Sequence, residues 1–167
     1  MPKKIVINGL SKENIADAIK EVRTYQKWVE TKEAELRSRL ANYGETIAII
    51  HFVGAVYDGT NDVIVRVDDT GDVATIYAEG EAVAFIEFGS GAAMGHGHPD
   101  AEKHGLGPGT WSTDESLGGK GHWDDPNGWY YAHGKKSHGN PPAMAMVAAR
   151  DAMVEALTTI AREVFAS

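Results

Sequence analysis

The chain has 167 residues, a formal net charge of −8 and no cysteine. That length predicts a single domain spanning 1–167, and the lack of cysteine excludes disulfides, thiolate zinc sites and a cysteine nucleophile. The negative charge argues against sequence-specific nucleic-acid binding, which needs clustered Lys and Arg. No apolar run approaches the ~20 residues that span a bilayer, and the basic start lacks a signal-peptide core, so we expect a cytosolic protein with no membrane partner.

A long N-terminal helix is predicted from Ser11 to Ala41, with Ser11 as the N-cap and Glu13 in the first turn. At 1.5 Å per residue it would be roughly 45 Å long. It either projects against a neighbouring subunit or bends over its own sheet. Apolar residues recur along it with helical period, interrupted by Gln26: Ile15, Ile19, Val22, Val29, Leu36 and Leu40.

A small antiparallel sheet is predicted to follow. Gly44 is expected to end the helix, and Thr46–Tyr57 has the composition of a strand. Val63–Asp68 and Val73–Ala78 then alternate about the turn Asp69–Asp72, which predicts a hairpin. The next segment, Glu81–Phe88, is compatible with either helix or strand.

The stretch from Gly89 to Gly139 has a different composition. It holds thirteen of the nineteen glycines, three of the four tryptophans and six of the seven histidines. A structureless loop of this length is rare unless it is functional or becomes ordered on assembly, and its aromatics argue against disorder. We therefore expect an insertion of short strands at about 90–139. A C-terminal helix should begin at or near Pro142 and run through Ala166, which gives an α+β fold.

Two short motifs flank the insertion. The first is an aromatic-x-Glu-Phe-Gly-Ser-Gly segment formed by Phe85, Glu87, Phe88, Gly89, Ser90 and Gly91. The second precedes the C-terminal helix and comprises His138, Gly139, Asn140, Pro141, Pro142, Ala143, Met144 and Met146.

With these motifs, in this order, the chain resembles the siphophage proteins known as minor tail component, neck or head–tail joining proteins. The family is usually helical through the first motif. It commonly has Thr where this chain has Ser90, and often a second Pro where it has Ala145. The resemblance implies ten motif positions: Phe85, Glu87, Phe88, Gly89, Ser90, Gly91, Asn140, Pro141, Pro142 and Met144.

The resemblance implies a structural virion protein and no enzyme, without catalytic residues, cofactor or metal. It would complete the tail, or terminate it, and join it to the head as part of the neck. Because tails are six-fold, a hexameric ring with head-to-tail subunit contacts is expected. Its partners would be itself, the tail tube protein and the connector or stopper proteins, and it would assemble in the host cytoplasm into the tail and neck region of the virion.

The histidines suggest an alternative, a metal-binding hydrolase that uses the cluster at 96–138. Gly95–Asp100 could place two imidazoles on one side of a strand, with zinc or nickel completed by a later ligand. The cluster has no fixed ligand spacing and glycine-rich flanks, so surface or interface histidines are the favoured interpretation. Its members are His96, His98, His104, His122, His133 and His138, interspersed with Asp100, Asp114, Asp124 and Asp125.

Two other enzyme classes fail on their motifs. A His-Asn-His nuclease needs ligands on the helix after Asn140, where Ala, Met and Val stand instead. A serine hydrolase needs Gly-x-Ser-x-Gly between a strand and a helix, and Phe88-Gly-Ser-Gly lacks that spacing. A chain reversal at Gly89–Gly91 is the better interpretation. Glu87 then either anchors this turn by accepting backbone N–H bonds or faces solvent.

Five aromatic residues in the insertion are candidates for partner docking, since such side chains often form interface hot spots. They either pack on their own domain or form an intersubunit or tail-tube interface. These residues are Trp111, Trp123, Trp129, Tyr130 and Tyr131. A further hypothesis is a host-encoded adaptor that associates through a coiled-coil first helix.

Overall fold

The computed structural model describes residues 11–57, 59, 61–91, 94–104, 129–130, 136–137 and 139–166. It has the predicted α+β class, with a long first helix, a small antiparallel sheet and a C-terminal helix. None of the helices in these residues is long and apolar enough to cross a membrane. In chain order the elements are α1 Lys12–Val53, β1 Ile64–Asp68, β2 Thr75–Glu79, α2 Val83–Phe88, a 3-10 turn Glu102–His104, β3 Trp129–Tyr130, β4 Lys136–Ser137 and α3 Ala145–Ala166.

Helix α1 begins as predicted and ends later. The Asn14 N–H donates to Ser11 Oγ at 3.2 Å, so Ser11 is the N-cap. The helix then runs for 42 residues through Gly44 to Val53, about 63 Å at 1.5 Å per residue. The predicted end at Gly44 and the predicted strand Thr46–Tyr57 are therefore wrong.

The prediction that Gly44 ends the helix failed because this glycine lies inside α1, where it makes room for neighbouring elements. A Cβ atom at this position would lie 2.6 Å from both Ile76 Cδ1 on β2 and Met153 Sδ on α3. Glycine thus lets α1 approach two elements at once. The residues after it are strand-like in composition, yet Ala48 and Phe52 stand four apart and are both buried, which is helical spacing. Tertiary packing overrides their local propensity.

The hairpin lies beside the C-terminal half of α1. Strands β1 and β2 pair antiparallel from Ile64↔Glu79 to Asp68↔Thr75, and exposed residues alternate with half-buried ones on both strands. Both strands were predicted to within one or two residues. The turn is tied back to α1 because Arg37 Nε donates to Asp69 Oδ1 at 2.8 Å, a hydrogen bond that lowers the pKa of the Asp69 carboxyl.

The ambiguous segment after the hairpin is helical. The Asp62 carboxylate accepts the N–H groups of Glu81 and Ala82, at 2.5 and 3.2 Å, just before α2 begins. These bonds hold the turn that leads into α2. Ile86 of α2 is completely buried, at the centre of a cluster formed by Ala48, Phe52, Ala82, Ile86, Ala145 and Ala149.

Helix α3 packs antiparallel to α1. Ala145, its first residue, lies in the cluster with Ala48 and Phe52, whereas Phe165 near its end meets Trp28 edge-on at 5.8 Å. It begins at Ala145, so Pro142 precedes the helix and does not lie in its first turn. Thus α1 both lies over its own sheet and, before Trp28, continues beyond the end of α3.

Only part of the insertion falls within the described residues. Trp129–Tyr130 and Lys136–Ser137 pair as a short antiparallel ladder, in keeping with the short strands expected there. Of the docking candidates, Trp111, Trp123 and Tyr131 lie outside the described residues.

Replacing Gly44 by Gln should destabilise the fold by roughly 1–3 kcal/mol, the usual cost of overpacking. The new side chain must displace Ile76 and Met153. Gly54→Gln is the matched control, because a Cβ there meets nothing within 4 Å and the backbone is already right-handed helical. Urea unfolding of both variants would measure the difference, and equal midpoints would show that α1 does not pack closely at Gly44.

Candidate functional site

The two motifs, fifty residues apart in sequence, are joined in the structure. Ser90 and Asn140 form an antiparallel bridge in which each N–H donates to the other's carbonyl, at 2.9 and 3.1 Å. The Ser90 hydroxyl donates to Asn140 Oδ1 at 2.5 Å, and Asn140 Nδ2 donates to the Phe85 carbonyl at 2.9 Å. Asn140 therefore bonds both to Ser90 and to helix α2. We call this set of contacts the motif junction.

Glycines make the close approach in the motif junction possible. Gly89 has a φ of +77°, and a Cβ there would lie 2.7 Å from Pro142 N and 2.8 Å from the Asn140 carbonyl. Gly139 has a φ of +86°, and a Cβ there would overlap the Ser90 carbonyl oxygen. Both positions require glycine for two independent reasons, the left-handed backbone and the lack of space.

Glu87 sits at the centre of the junction and is only 4% exposed. Its Oε2 accepts the Ala145 N–H at 2.8 Å and its Oε1 accepts the Met146 N–H at 3.0 Å. A carboxylate at this place satisfies donors that the first turn of α3 cannot pair itself and complements the helix dipole. Glu87 thus accepts backbone N–H bonds, as one interpretation predicted, but from α3 and not from the Gly89–Gly91 turn.

Backbone bonds place α3 over this carboxylate. The Ala143 N–H donates to the Ile86 carbonyl at 2.8 Å and the Met144 N–H donates to the Glu87 carbonyl at 3.3 Å. Met144 takes a φ of +51°, the one positive φ at a non-glycine among the described residues. Such a backbone is uncommon for a residue with a side chain, and here it turns the chain from the Pro141–Pro142 segment into α3.

His98 is the third partner of Glu87. Its Nε2 lies 3.2 Å from Glu87 Oε1, and its Nδ1 accepts the Asp100 N–H at 3.1 Å. Because a backbone N–H can only donate, the neutral ring must carry its proton on Nε2 and donate it to Glu87. The ring also packs on Phe88, with centroids 4.3 Å apart. Both ring nitrogens of this buried histidine are therefore engaged within the chain.

Asp100 connects the segment after His98 to α3. Its Oδ1 pairs with Lys103 Nζ at 2.6 Å and its Oδ2 pairs with Arg150 Nη1 at 3.0 Å. The hydrogen bond from Lys103, together with the two positive charges, lowers the pKa of the Asp100 carboxyl. These pairs are partly exposed and contribute less than the buried contacts of Glu87.

A pocket of about 430 Å³ opens beside the junction. Its walls are mainly apolar, and the polar groups at its edge are those of Glu87, His98, Asp100, His104 and Arg150. Of these, the Glu87 and His98 groups already bond to each other and to backbone N–H groups. The bonds of Glu87 and His98 are therefore suited to holding α3 in place.

The structure brings all ten motif positions into one region. Beyond the residues already described, Phe85 stacks on Tyr57 at 4.5 Å, Gly91 is buried, Pro141 is exposed and Pro142 is half-buried. His98 was predicted only as a member of the histidine cluster, and its pairing with Glu87 was missed. No spacing signal could have revealed this pair, because it depends on how the glycine-rich turn between them folds.

The histidine cluster is only partly described. His96 is exposed whereas His98 is buried against Glu87, so these two imidazoles do not share one side of a strand as the metal hypothesis required. Among the described residues no group of three potential ligands could hold a metal ion. The other candidates lie outside the described residues: His122, His133, His138, Asp114, Asp124 and Asp125. Trp129 and Tyr130 are placed in β3 by their backbone alone.

Comparison with known proteins gives no match to a family model, to a curated protein or to a solved structure.

Replacing Glu87 by Ala should destabilise the protein by roughly 2–4 kcal/mol, because it removes a helix cap and leaves buried donors without an acceptor. The donors affected are the Ala145 and Met146 amides and the His98 ring. Glu81→Ala is the control, since that side chain is exposed. Hydrogen exchange should show that the two α3 amides lose protection in the Glu87 variant alone. Unchanged protection would contradict the capping role.

The ring of His98 should be the Nε2–H tautomer in the pH range where it is neutral, because Nδ1 accepts the Asp100 amide. Long-range ¹H–¹⁵N NMR spectra distinguish the protonated ring nitrogen from the bare one. Exposed His96 offers an internal comparison. A proton found on Nδ1 would show that the contact with Glu87 is arranged differently.

Proposed function

We propose that this protein is a non-enzymatic subunit of a bacteriophage virion that completes the tail and joins it to the head. It forms a ring, hexameric to match the tail, and contacts the tail tube protein on one side and connector or stopper proteins on the other. It assembles in the host cytoplasm and is retained in the neck region of the particle. The basis of the proposal is the resemblance carried by the two motifs.

Among the features of the fold, the balance between buried and exposed apolar side chains gives the proposal its main support. Eight hydrophobic residues of the described chain are buried, and five of them are alanines. Fifteen large hydrophobic residues are exposed, among them Ile50 at 62% and Val53 at 74%. Scattered exposed apolar residues are normal, but contiguous ones mark interaction surfaces. A chain with this distribution is suited to burying its apolar side chains against other subunits.

The motif junction also supports a structural role. Its conspicuous residues, Glu87, Ser90 and Asn140, are engaged in connecting α2 to α3. None of their contacts requires a substrate to explain it. In a ring subunit, a junction of this kind would hold the assembly surfaces of the two helices in a defined relative position.

The metal-binding hydrolase gains no supporting observation among the described residues. His98, one of its proposed ligands, has both ring nitrogens in hydrogen bonds with Glu87 and Asp100. Of the candidate ligands in the described part of the chain, Asp100 is also paired, with Lys103 and Arg150. The virion role is therefore the function that we propose.

Native mass spectrometry of the purified chain should give a hexamer without bound metal, or a monomer that forms a ring when tail tube protein is added. The same ions report stoichiometry and metal content. One tightly held transition metal per monomer, in a chain that never assembles, would contradict the proposal and favour the hydrolase.

The docking role of the insertion can be separated from folding. The double substitution of Trp111 and Trp123 by Ala should leave the ring intact and reduce joining of isolated heads and tails at least tenfold, since aromatic anchors dominate many interfaces. Electron microscopy counts the joined particles. Substitution of Tyr77 by Ala, at an exposed position on β2, is the comparison variant. Full joining by the Trp variant would contradict partner docking through these residues.

A further inference from the structure

The N-terminal part of α1 carries an apolar surface that its own chain does not cover. Ile15, Ile19 and Val22 are spaced four and three residues apart, so they line one face of the helix, and each is between 42% and 48% exposed. Tyr25 borders them and is also exposed. The contact between Trp28 and Phe165 marks the end of α3, and these residues lie before it. We call this surface the α1 stripe.

A second apolar surface lies at the opposite end of the same helix. A groove of about 320 Å³ runs between the last turns of α1 and the start of β1. Val53, which lines it, is the most exposed large hydrophobic residue among those described, and Ile50 and Val56, within three positions of Val53 in the chain, are exposed too. The groove is lined by Ile49, Phe52, Val53, Asn61, Val63 and Val65. We call this surface the α1–β1 groove.

The two surfaces lie at opposite ends of α1 and, by ideal helix geometry, on different sides of it. Ile19 and Val53 are 34 positions apart, which at 3.6 residues per turn places them about 160° apart around the helix axis. In a two-fold dimer with antiparallel α1 helices, the stripe and the groove of one copy would both have to face the same partner. Surfaces on different sides of the helix cannot do so. A stripe-to-groove contact must therefore link each copy to two different neighbours.

Charge distinguishes the two surfaces as well. Residues 12–28, which carry the stripe, hold four basic and three acidic side chains, and Lys20, Arg23 and Lys27 form a ridge at helical spacing. Residues 45–81, which carry the groove, hold eight acidic side chains and one arginine. Of these acids, Glu45 lies one helical turn before Ile49 and Asp62 lies between the lining residues Asn61 and Val63, so acidic side chains adjoin the groove in the chain. Stripe against groove is attractive, whereas groove against groove is repulsive.

We propose that the α1 stripe of one copy docks in the α1–β1 groove of the next copy. The contact is heterologous, so it repeats from copy to copy and yields a ring if the rotation closes. The apolar side chains fill the groove, and the ridge of Lys20, Arg23 and Lys27 faces its acidic surroundings. This inference rests on the proposed ring and assigns the surfaces that build it.

Two single variants and their mixture test the contact. Ile19→Glu places a charge in the stripe and leaves the groove intact, whereas Val53→Glu does the reverse. Both positions are exposed, so circular dichroism should show the helix content of the wild type, and thermal unfolding should match at concentrations where all the chains are monomeric. By light scattering after size exclusion, each variant alone should self-associate at least tenfold more weakly than wild type. An equimolar mixture should form a heterodimer, because one intact stripe and one intact groove remain.

The outcomes separate this contact from other arrangements. Val53→Glu that assembles like the wild type would show that the groove is not used, and a mixture that stays monomeric would exclude the stripe-to-groove pairing. Wild-type chain that stays monomeric at all concentrations, both alone and with tail tube protein, would overturn the contact as well. Val154→Glu is the control at an equally exposed site on α3, and it should assemble normally. Its failure to assemble would place the interface on another face.

The same experiment distinguishes the contact from the wider function. A heterodimer in the mixture, together with a wild-type ring that does not bind tails, would support the contact and contradict the tail-joining role. A ring that joins tails even with Ile19→Glu and Val53→Glu combined would support that role and overturn the contact.

Discussion

The buried carboxylate of Glu87 is the interaction on which the rest of the structure depends. An ionised group is costly to bury unless hydrogen bonds replace its water. Here the Ala145 and Met146 amides and the His98 ring supply those bonds from two separate parts of the chain. The carboxylate therefore fixes the start of α3, the end of α2 and the segment after the glycine turn at one point. No residue type other than an acid presents two acceptor oxygens to three donors in this space.

With the junction held by polar contacts, the apolar core can be small. Helix α1 approaches its neighbours through Ala41, Gly44 and Ala48, residues with little or no side chain. Most of the exposed large apolar side chains of α1 lie toward its two ends, on the stripe and beside the groove. A monomer gains little from exposing them, whereas a ring that buries them gains a few kilocalories per mole at each contact. The molecule is thus divided into a polar junction that orders the fold and apolar ends that are available for assembly.

Local signals in the sequence predicted those elements whose causes are themselves local. Ser11 caps α1 by accepting the N–H of Asn14, three residues later in the chain. The alternation of apolar and polar residues on either side of Asp69–Asp72 belongs to two strands that pair with each other. Gly44 and the strand-like run after it were misread, because their helical state depends on Ile76 and Met153, distant in sequence. The sequence indicated only part of the role of Glu87, the expectation that its carboxylate accepts backbone N–H bonds. Those donors lie 58 and 59 residues away on α3, a distance that no local pattern encodes.

The central claim is that this chain is part of the junction between head and tail. Cryo-electron microscopy of particles from a phage that encodes the chain tests it most directly. We expect a ring at the head-proximal end of the tail, with six copies of the α1–hairpin–α3 fold and the stripe of each copy against the groove of the next. Purified particles that lack the chain, or a map that places it elsewhere than the neck, would contradict the account.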